Sequence, residues 1–171
     1  MEVLKSKLED ISNLMDLFNS CVVDMREKGI YQWNNLYPNL EIVRSDICKE
    51  EAYSIGSKDC KVATITLNEE QSPEYKAIPW IGLEPVLVIH RLAVHPNFQN
   101  QGFGKIIMEF AQAYAKSNGY SCIRMDAFTK NPLALSLYNK LGYEKRGEVY
   151  FPGRAIPFYC LEKLFNKRLS S

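Results

Sequence analysis

Residues Gln99-Asn100-Gln101-Gly102-Phe103-Gly104 have the makings of an anion-binding turn. They stand between an apolar run and a segment with helical periodicity, where a strand would hand over to a helix. The first turn of any helix leaves amide N–H groups without intrahelical acceptors and carries the positive end of the helix dipole. Glycine at two positions lets an anion reach the main chain without meeting a Cβ. A diphosphate is the natural guest. The dipole contributes only about 0.3–1 kcal/mol, so affinity must come mainly from several amide hydrogen bonds and from the rest of the ligand.

Two common phosphate loops do not fit this spacing. The Walker A loop needs Gly-x-x-x-x-Gly-Lys-Ser/Thr, but Gly104-Lys105 is followed by Ile106, and Gln99 stands where the first glycine should be. The dinucleotide fingerprint needs Gly-x-Gly-x-x-Gly, but Ile107 takes the place of its third glycine. A nucleotide-binding protein of either kind is therefore disfavoured. The five cysteines, Cys21, Cys48, Cys60, Cys122 and Cys160, include no C-x-x-C pair and read as reduced thiols packed as small apolar fillers. With His90 and His95 as the two histidines, no metal site is expected.

The elements around the loop follow from punctuation and period. Ser6-Lys7-Leu8-Glu9 has capping-box spacing and predicts a helix from about Lys7 to Lys28, stopped by Gly29. Leu40 to Cys48 fits a second helix after an irregular turn at Gln32-Trp33 and Tyr37-Pro38. Short strands are expected at Ala52–Ser57 and Val62–Leu67, then a mostly irregular segment from Asn68 to Leu83. Val86 to Val94 reads as a central strand buried on both faces. The helix after Gly102 carries the apolar stripe Phe103, Ile106, Ile107, Phe110 and Tyr114, and ends at Asn118-Gly119. Cys122–Ala127 is a further strand. Asn131-Pro132 opens a helix ending at Leu141-Gly142, with Asn as cap and Pro at the first helical position. Strands at Tyr143–Phe151 and Ile156–Leu164 flank a Pro152-Gly153 turn.

The 171 residues make one domain's worth of chain, and no repeat or linker divides positions 1–171. At 46% hydrophobic the sequence can bury a core. Lys plus Arg total 21 against 20 Asp plus Glu, a net charge of +1, so no bulk field favours nucleic acid or an anionic membrane. No apolar stretch approaches the roughly 18 residues of a membrane span, and the start lacks a signal-peptide pattern. A cytoplasmic protein is expected.

Gln99-x-x-Gly102-x-Gly104 meets the form Gln/Arg-x-x-Gly-x-Gly/Ala. Here the chain resembles the GNAT superfamily of N-acetyltransferases, in which this loop holds the diphosphate of acetyl-CoA. His90-Arg91-Leu92-Ala93-Val94-His95-Pro96 is similar to the family's central strand. Downstream, Asn131-x-x-Ala134-x-x-x-Tyr138-x-x-x-Gly142-Tyr143 resembles its second cofactor helix and the turn after it. The resemblance covers Val86 to Tyr143 well and the first 80 or so residues only in general layout. It implies a mixed α/β GNAT fold: a six- to seven-stranded, mostly antiparallel sheet with two splayed central parallel strands and about four helices.

The resemblance also implies roles. Acetyl-CoA would contact Leu92, Ala93 and Val94 on the strand, pairing its pantetheine arm as an added strand does. Gln99, Asn100, Gln101, Gly102, Phe103, Gly104 and Lys105 would hold the diphosphate. Asn131, Ala134 and Tyr138 share one helical face; Asn131 could bond the arm, Ala134 leave it room, and Tyr138 protonate the departing thiolate. The Leu92 amide could serve the developing oxyanion. His90 is a candidate base, since an unperturbed imidazole titrates near pH 6.5; the alternative is a satisfied structural histidine. Glu84 and Asp126 could instead relay a proton through water. Trp33, Tyr37, Trp80 and Phe128, with Thr129 beside it, could wall the acceptor cleft, or the aromatics could simply cover the core edge. The implied acceptor is an amine of a small molecule or peptide and the implied state a monomer or homodimer. The competing class is an acyl-CoA-binding sensor that has lost its chemistry.

Overall fold

The computed structural model describes residues 1–165. Seven strands form one sheet: β1 (Val3–Lys5), β2 (Ala52–Gly56), β3 (Lys61–Asn68), β4 (Val86–Val94), β5 (Cys122–Phe128), β6 (Glu144–Val149) and β7 (Phe158–Leu164), in the order β1-β2-β3-β4-β5-β7-β6. The α-helices among the described residues are α1 (Ile11–Glu27), α2 (Leu40–Cys48), α3 (Phe103–Ser117) and α4 (Pro132–Lys140). The sheet is mostly antiparallel, and β4 with β5 is its parallel pair. That pair is in register over Val86↔Cys122, Leu87↔Ile123 and Val88↔Arg124. β4 runs on to Val94, and β5 stays paired with β7 as far as Phe128↔Phe158.

Two compact units share the chain: Met1–Leu67 with His90–Phe110, and Asn68–Ile89 with Ala111 onward. In the first, α1 buries Leu14, Leu17, Phe18 and Cys21 with Val43 and Ile47 of α2, Ala52 of β2 and Ala93 of β4. α1 is shorter than its sequence suggests, because Leu8–Asp10 forms a 3-10 turn ahead of it. Ser6 is not its cap. The Ser6 hydroxyl is buried on Ser54 Oγ at 2.9 Å, while the Asp10 carboxylate accepts from the Lys7 amide at 2.8 Å and pairs with Lys61 at 2.8 Å. Gly29, at φ +73°, ends the helix as expected. α2 spans the expected residues, and Asn39 caps it by accepting from the Ile42 amide at 3.0 Å.

In the second unit, β5 pairs with β7 along its whole length and β7 pairs with β6. Both of the last strands are shorter than expected, since Tyr143 and Tyr150 to Pro157 fall outside them. Pro73–Ala77 forms a 3-10 turn within the segment expected to be mostly irregular. Elsewhere, α3 buries Ile107, Met108, Ala111 and Ala115, whereas Ile106, assigned to its apolar stripe, is 40% exposed. β4 is fully buried only over Val86–Ile89 and at Ala93; His90, Arg91, Leu92 and Val94 are half-buried. All five cysteines are free thiols, but only Cys21, Cys122 and Cys160 are the buried fillers expected; Cys48 and Cys60 are exposed.

Candidate active site

In the first unit the loop after β4 is built largely by its own side chains. The His95 amide donates to Val62 O at 2.8 Å, and His95 Nδ1 accepts from the Asn97 amide at 3.2 Å. Gln99 Nε2 donates to Val94 O at 3.2 Å, which also accepts from the Cys21 thiol at 3.3 Å. Gln101 Nε2 donates to Asn97 O at 3.0 Å. Phe98 meets His95 and Phe103 edge-on. Gln99 and Phe103 thus shape the loop, whatever else they touch.

Asn100 and Gly102 both take left-handed backbone, at φ +59° and +87°. Asparagine and glycine are the residues that adopt it most readily. A Cβ at Gly102 would meet no atom within 4 Å, so its backbone angle, not crowding, calls for glycine there. The Ile106 amide donates to Gly102 O at 3.0 Å and closes the first turn of α3. The preceding amides, of Phe103, Gly104 and Lys105, are those a helix leaves without an intrahelical acceptor. Lys105 pairs loosely with Glu109 at 3.7 Å on the surface. Two left-handed residues leading into a helix start is the geometry of an anion cradle.

Arg91 is the least ordinary residue of β4 and no motif of the sequence assigns it a role. Its φ is +49°, inside a strand. Its guanidinium makes two bonds of 2.7 Å to the Asp46 carboxylate and a third, of 3.1 Å, to the Tyr37 hydroxyl. An arginine within an apolar run was the available signal, since a charge rarely enters a core unpaired.

In the second unit, Asn131 Oδ1 accepts from the Ala134 amide at 3.2 Å, which makes Asn131 the cap of α4. Tyr138, 7% exposed, lies on that helix with its ring 6.3 Å from that of Tyr143. Burial, and then the charge of Asp126, raise the Tyr138 phenol above its ordinary pKa and hold it protonated. Asp126 accepts from the Tyr75 hydroxyl at 2.6 Å. Burial raises the Asp126 carboxyl; the Tyr75 bond opposes this and nearby Glu74 adds to it. Glu84 accepts from the Val86 amide and Gln71, at 3.1 and 3.0 Å.

The aromatic candidates for an acceptor wall have different surroundings. Trp33 packs edge-on against Phe18, 5.6 Å away, over the first unit's core. Trp80 donates to Tyr75 O at 2.9 Å and lies under the Arg124 guanidinium at 4.6 Å. Phe128 is 2% exposed beside Phe158. Thr129 Oγ1 donates to Pro157 O at 2.9 Å. Of the four aromatic residues only Tyr37, at 37%, is exposed. Among the described residues no His, Cys, Asp and Glu cluster could hold a metal ion, and no helix is long and apolar enough to cross a membrane.

The sequence model of the Acetyltransferase (GNAT) family matches residues 14–143. The chain belongs to the GNAT family. This GNAT protein is 26% identical over 143 residues to the uncharacterized N-acetyltransferase YesJ of Bacillus subtilis, covering 81% of this chain and 79% of YesJ. Its fold matches a GNAT-family acetyltransferase from Streptococcus agalactiae 2603 with a TM-score of 0.79 at 22% identity, over 97% and 96% of the two chains. It also matches the PaiA N-acetyltransferase of Thermoplasma acidophilum, solved with coenzyme A, with a TM-score of 0.71 at 18% identity over 96% and 98%. Among the described residues, the seven-stranded sheet with one parallel pair and four α-helices is what the sequence resemblance implies.

Proposed function

We propose that this GNAT protein is a single acetyltransferase domain that transfers an acetyl group from acetyl-CoA to an amine of a small molecule or peptide. The observation that carries this reading is the pair of left-handed residues, Asn100 and Gly102, leading into the first turn of α3. The Phe103, Gly104 and Lys105 amides would hold the diphosphate, with Gln99 and Gln101 bracing the loop. The main chain of Leu92 to Val94 would pair with the pantetheine amides, as an added strand does. Asn131 and Ala134 would line the arm from α4.

Transfer forms a C–N bond between amine and acetyl carbon and breaks the C–S bond of the thioester. The amine gives up a proton and the sulfur gains one. The Leu92 amide serves the oxyanion that develops on the acetyl carbonyl. Tyr138, held protonated by its surroundings, donates its O–H to the departing sulfur. His90 takes the proton from the amine. Tyr37, the exposed one of the four aromatic candidates, would contribute to the acceptor wall, as would Trp33, Trp80 and Phe128.

A screen of amines that follows release of the free CoA thiol tests the assignment. Turnover with at least one amine is expected. Binding of acetyl-CoA without transfer to any amine would instead mark a sensor. On a good acceptor, Tyr138→Phe is expected to lower kcat about 10²-fold, as loss of a general acid does, with acetyl-CoA affinity within twofold; unchanged kcat would remove Tyr138 from the reaction. His90→Ala is expected to lower kcat and abolish the acidic limb of its pH profile. An intact limb would assign the proton to another group.

A further inference from the structure

We infer that Arg91 is a positioning residue for acyl transfer: Asp46 and Tyr37 lock its side chain, and this lock holds a left-handed kink in β4 that sets the direction of the Leu92 amide. The inference rests on the function proposed above, which gives that amide the oxyanion.

A residue with a Cβ adopts left-handed backbone only at a cost, and it persists where the surroundings over-determine it. Arginine lacks the short polar side chain by which asparagine can bond locally in such a turn. Here the surroundings grip all three guanidinium nitrogens. Nε and Nη2 each reach an Asp46 oxygen at 2.7 Å, and Nη1 reaches Tyr37 Oη at 3.1 Å. Asp46 is itself fixed. Thr66 Oγ1 on β3 donates to its Oδ2 at 2.9 Å, and the Glu51 amide donates to its main-chain oxygen at 2.9 Å. Arg91 and Asp46 side chains are only 12% and 10% exposed, so salt screens the pair little. The paired bonds match the fork of arginine to the two carboxylate oxygens, which lysine cannot reproduce.

Rotation about φ of Arg91 turns its carbonyl and the next N–H, that of Leu92, relative to residues 86–90. The register shared with β5 ends at Val88, before the kink. The clamp therefore acts on the stretch of β4 to which the acyl carbonyl is assigned, and it draws on α2, β3 and the Tyr37 turn to do so. Spacing in the sequence gives no hint of it, since Asp46 and Arg91 are 45 residues apart.

Three variants test the clamp: Arg91→Ala, Arg91→Gly and Asp46→Asn. Each is assayed by CoA release below its own Tm, with kcat and the KM for acetyl-CoA measured separately. Arg91→Ala and Asp46→Asn are expected to lose tenfold or more in kcat while KM stays within twofold. Arg91→Gly is expected to keep at least threefold more kcat than Arg91→Ala, because glycine adopts φ +49° freely. A kcat within twofold of the unmodified protein for Arg91→Ala would overturn the inference, as would Arg91→Gly no better than Arg91→Ala. If the unmodified protein acetylates no amine, the function falls on its own. Tm then decides: a Tm lowered in Asp46→Asn, with Arg91→Gly above Arg91→Ala, supports the clamped kink, and an unchanged Tm in Asp46→Asn, or Arg91→Gly no better than Arg91→Ala, overturns it.

Discussion

Glu162→Ala is expected to destabilise the protein by about 3–5 kcal/mol, the range for removing one partner of a buried ion pair. At roughly 2–4 °C per kcal/mol for a chain of this size, Tm should fall by about 10 °C. Glu162 lies on β7 with no exposed surface. It accepts from Arg146 Nε at 2.8 Å, Arg124 Nε at 3.3 Å, and the Gly82 and Ile81 amides at 2.9 and 3.1 Å. Removing it takes one partner from two guanidinium groups and two amides together. Arg124 also holds Gly82 O and Gln71 Oε1, both at 2.7 Å. The network thus pins residues 71–82, the segment that brings Tyr75 to Asp126. Gly82 fits there because a Cβ would collide with Cys122 Sγ and come within 2.9 Å of Glu162 Oε1.

The pH dependence has a definite sign. Burial raises the Glu162 carboxyl, but Arg146, the Ile81 and Gly82 amides and Arg124 outweigh it and hold it below its ordinary value of 4.5. Its contribution is therefore present above about pH 4.5 and is lost as pH falls through the depressed value. Thermal melts from pH 3 to 7 check both points. A Tm loss of under 3 °C at pH 7 for Glu162→Ala would contradict the network's importance.

Gly104→Glu is expected to weaken acetyl-CoA binding about 100-fold or more, about 2.8 kcal/mol at tenfold per 1.4 kcal/mol. Gly104 is the second residue of α3. A carboxylate there favours the helix, since it complements the dipole, so the fold should hold. The same carboxylate would compete for the first-turn amides and set a negative charge beside the place proposed for the diphosphate. Calorimetry measures the loss and circular dichroism checks the helix. A Kd within threefold of the unmodified protein would show that the diphosphate sits elsewhere.

Local rules made much of this molecule readable. Asn39 and Asn131 cap the helices expected after them, and Gly29, Gly119 and Gly142 stand in left-handed backbone at helix ends. The apolar run Val86–Val94 is a strand, and the loop at 99–104 does lead into a helix. What escaped depends on contacts far apart in sequence. Ser6 has the right spacing to cap α1, but Ser54, 48 residues away, offers its hydroxyl a buried partner. Ile106 fits the period of α3 yet lies toward solvent, because the buried stripe passes through Met108 and Ala111 instead. The Arg91 and Glu162 clusters join residues 16 to 81 positions apart, and no period marks such pairs. Tyr75 carries no signal in the sequence because it stands in a segment without strand or helix pattern, although its hydroxyl holds Asp126.

Isothermal titration of the unmodified protein with acetyl-CoA, and separately with ATP, tests most directly whether the turn at 99–104 is built for the diphosphate of an acyl-CoA. Acetyl-CoA should bind at one site per chain and ATP should give no saturable heat. Saturable ATP binding, or no binding of acetyl-CoA, would contradict it.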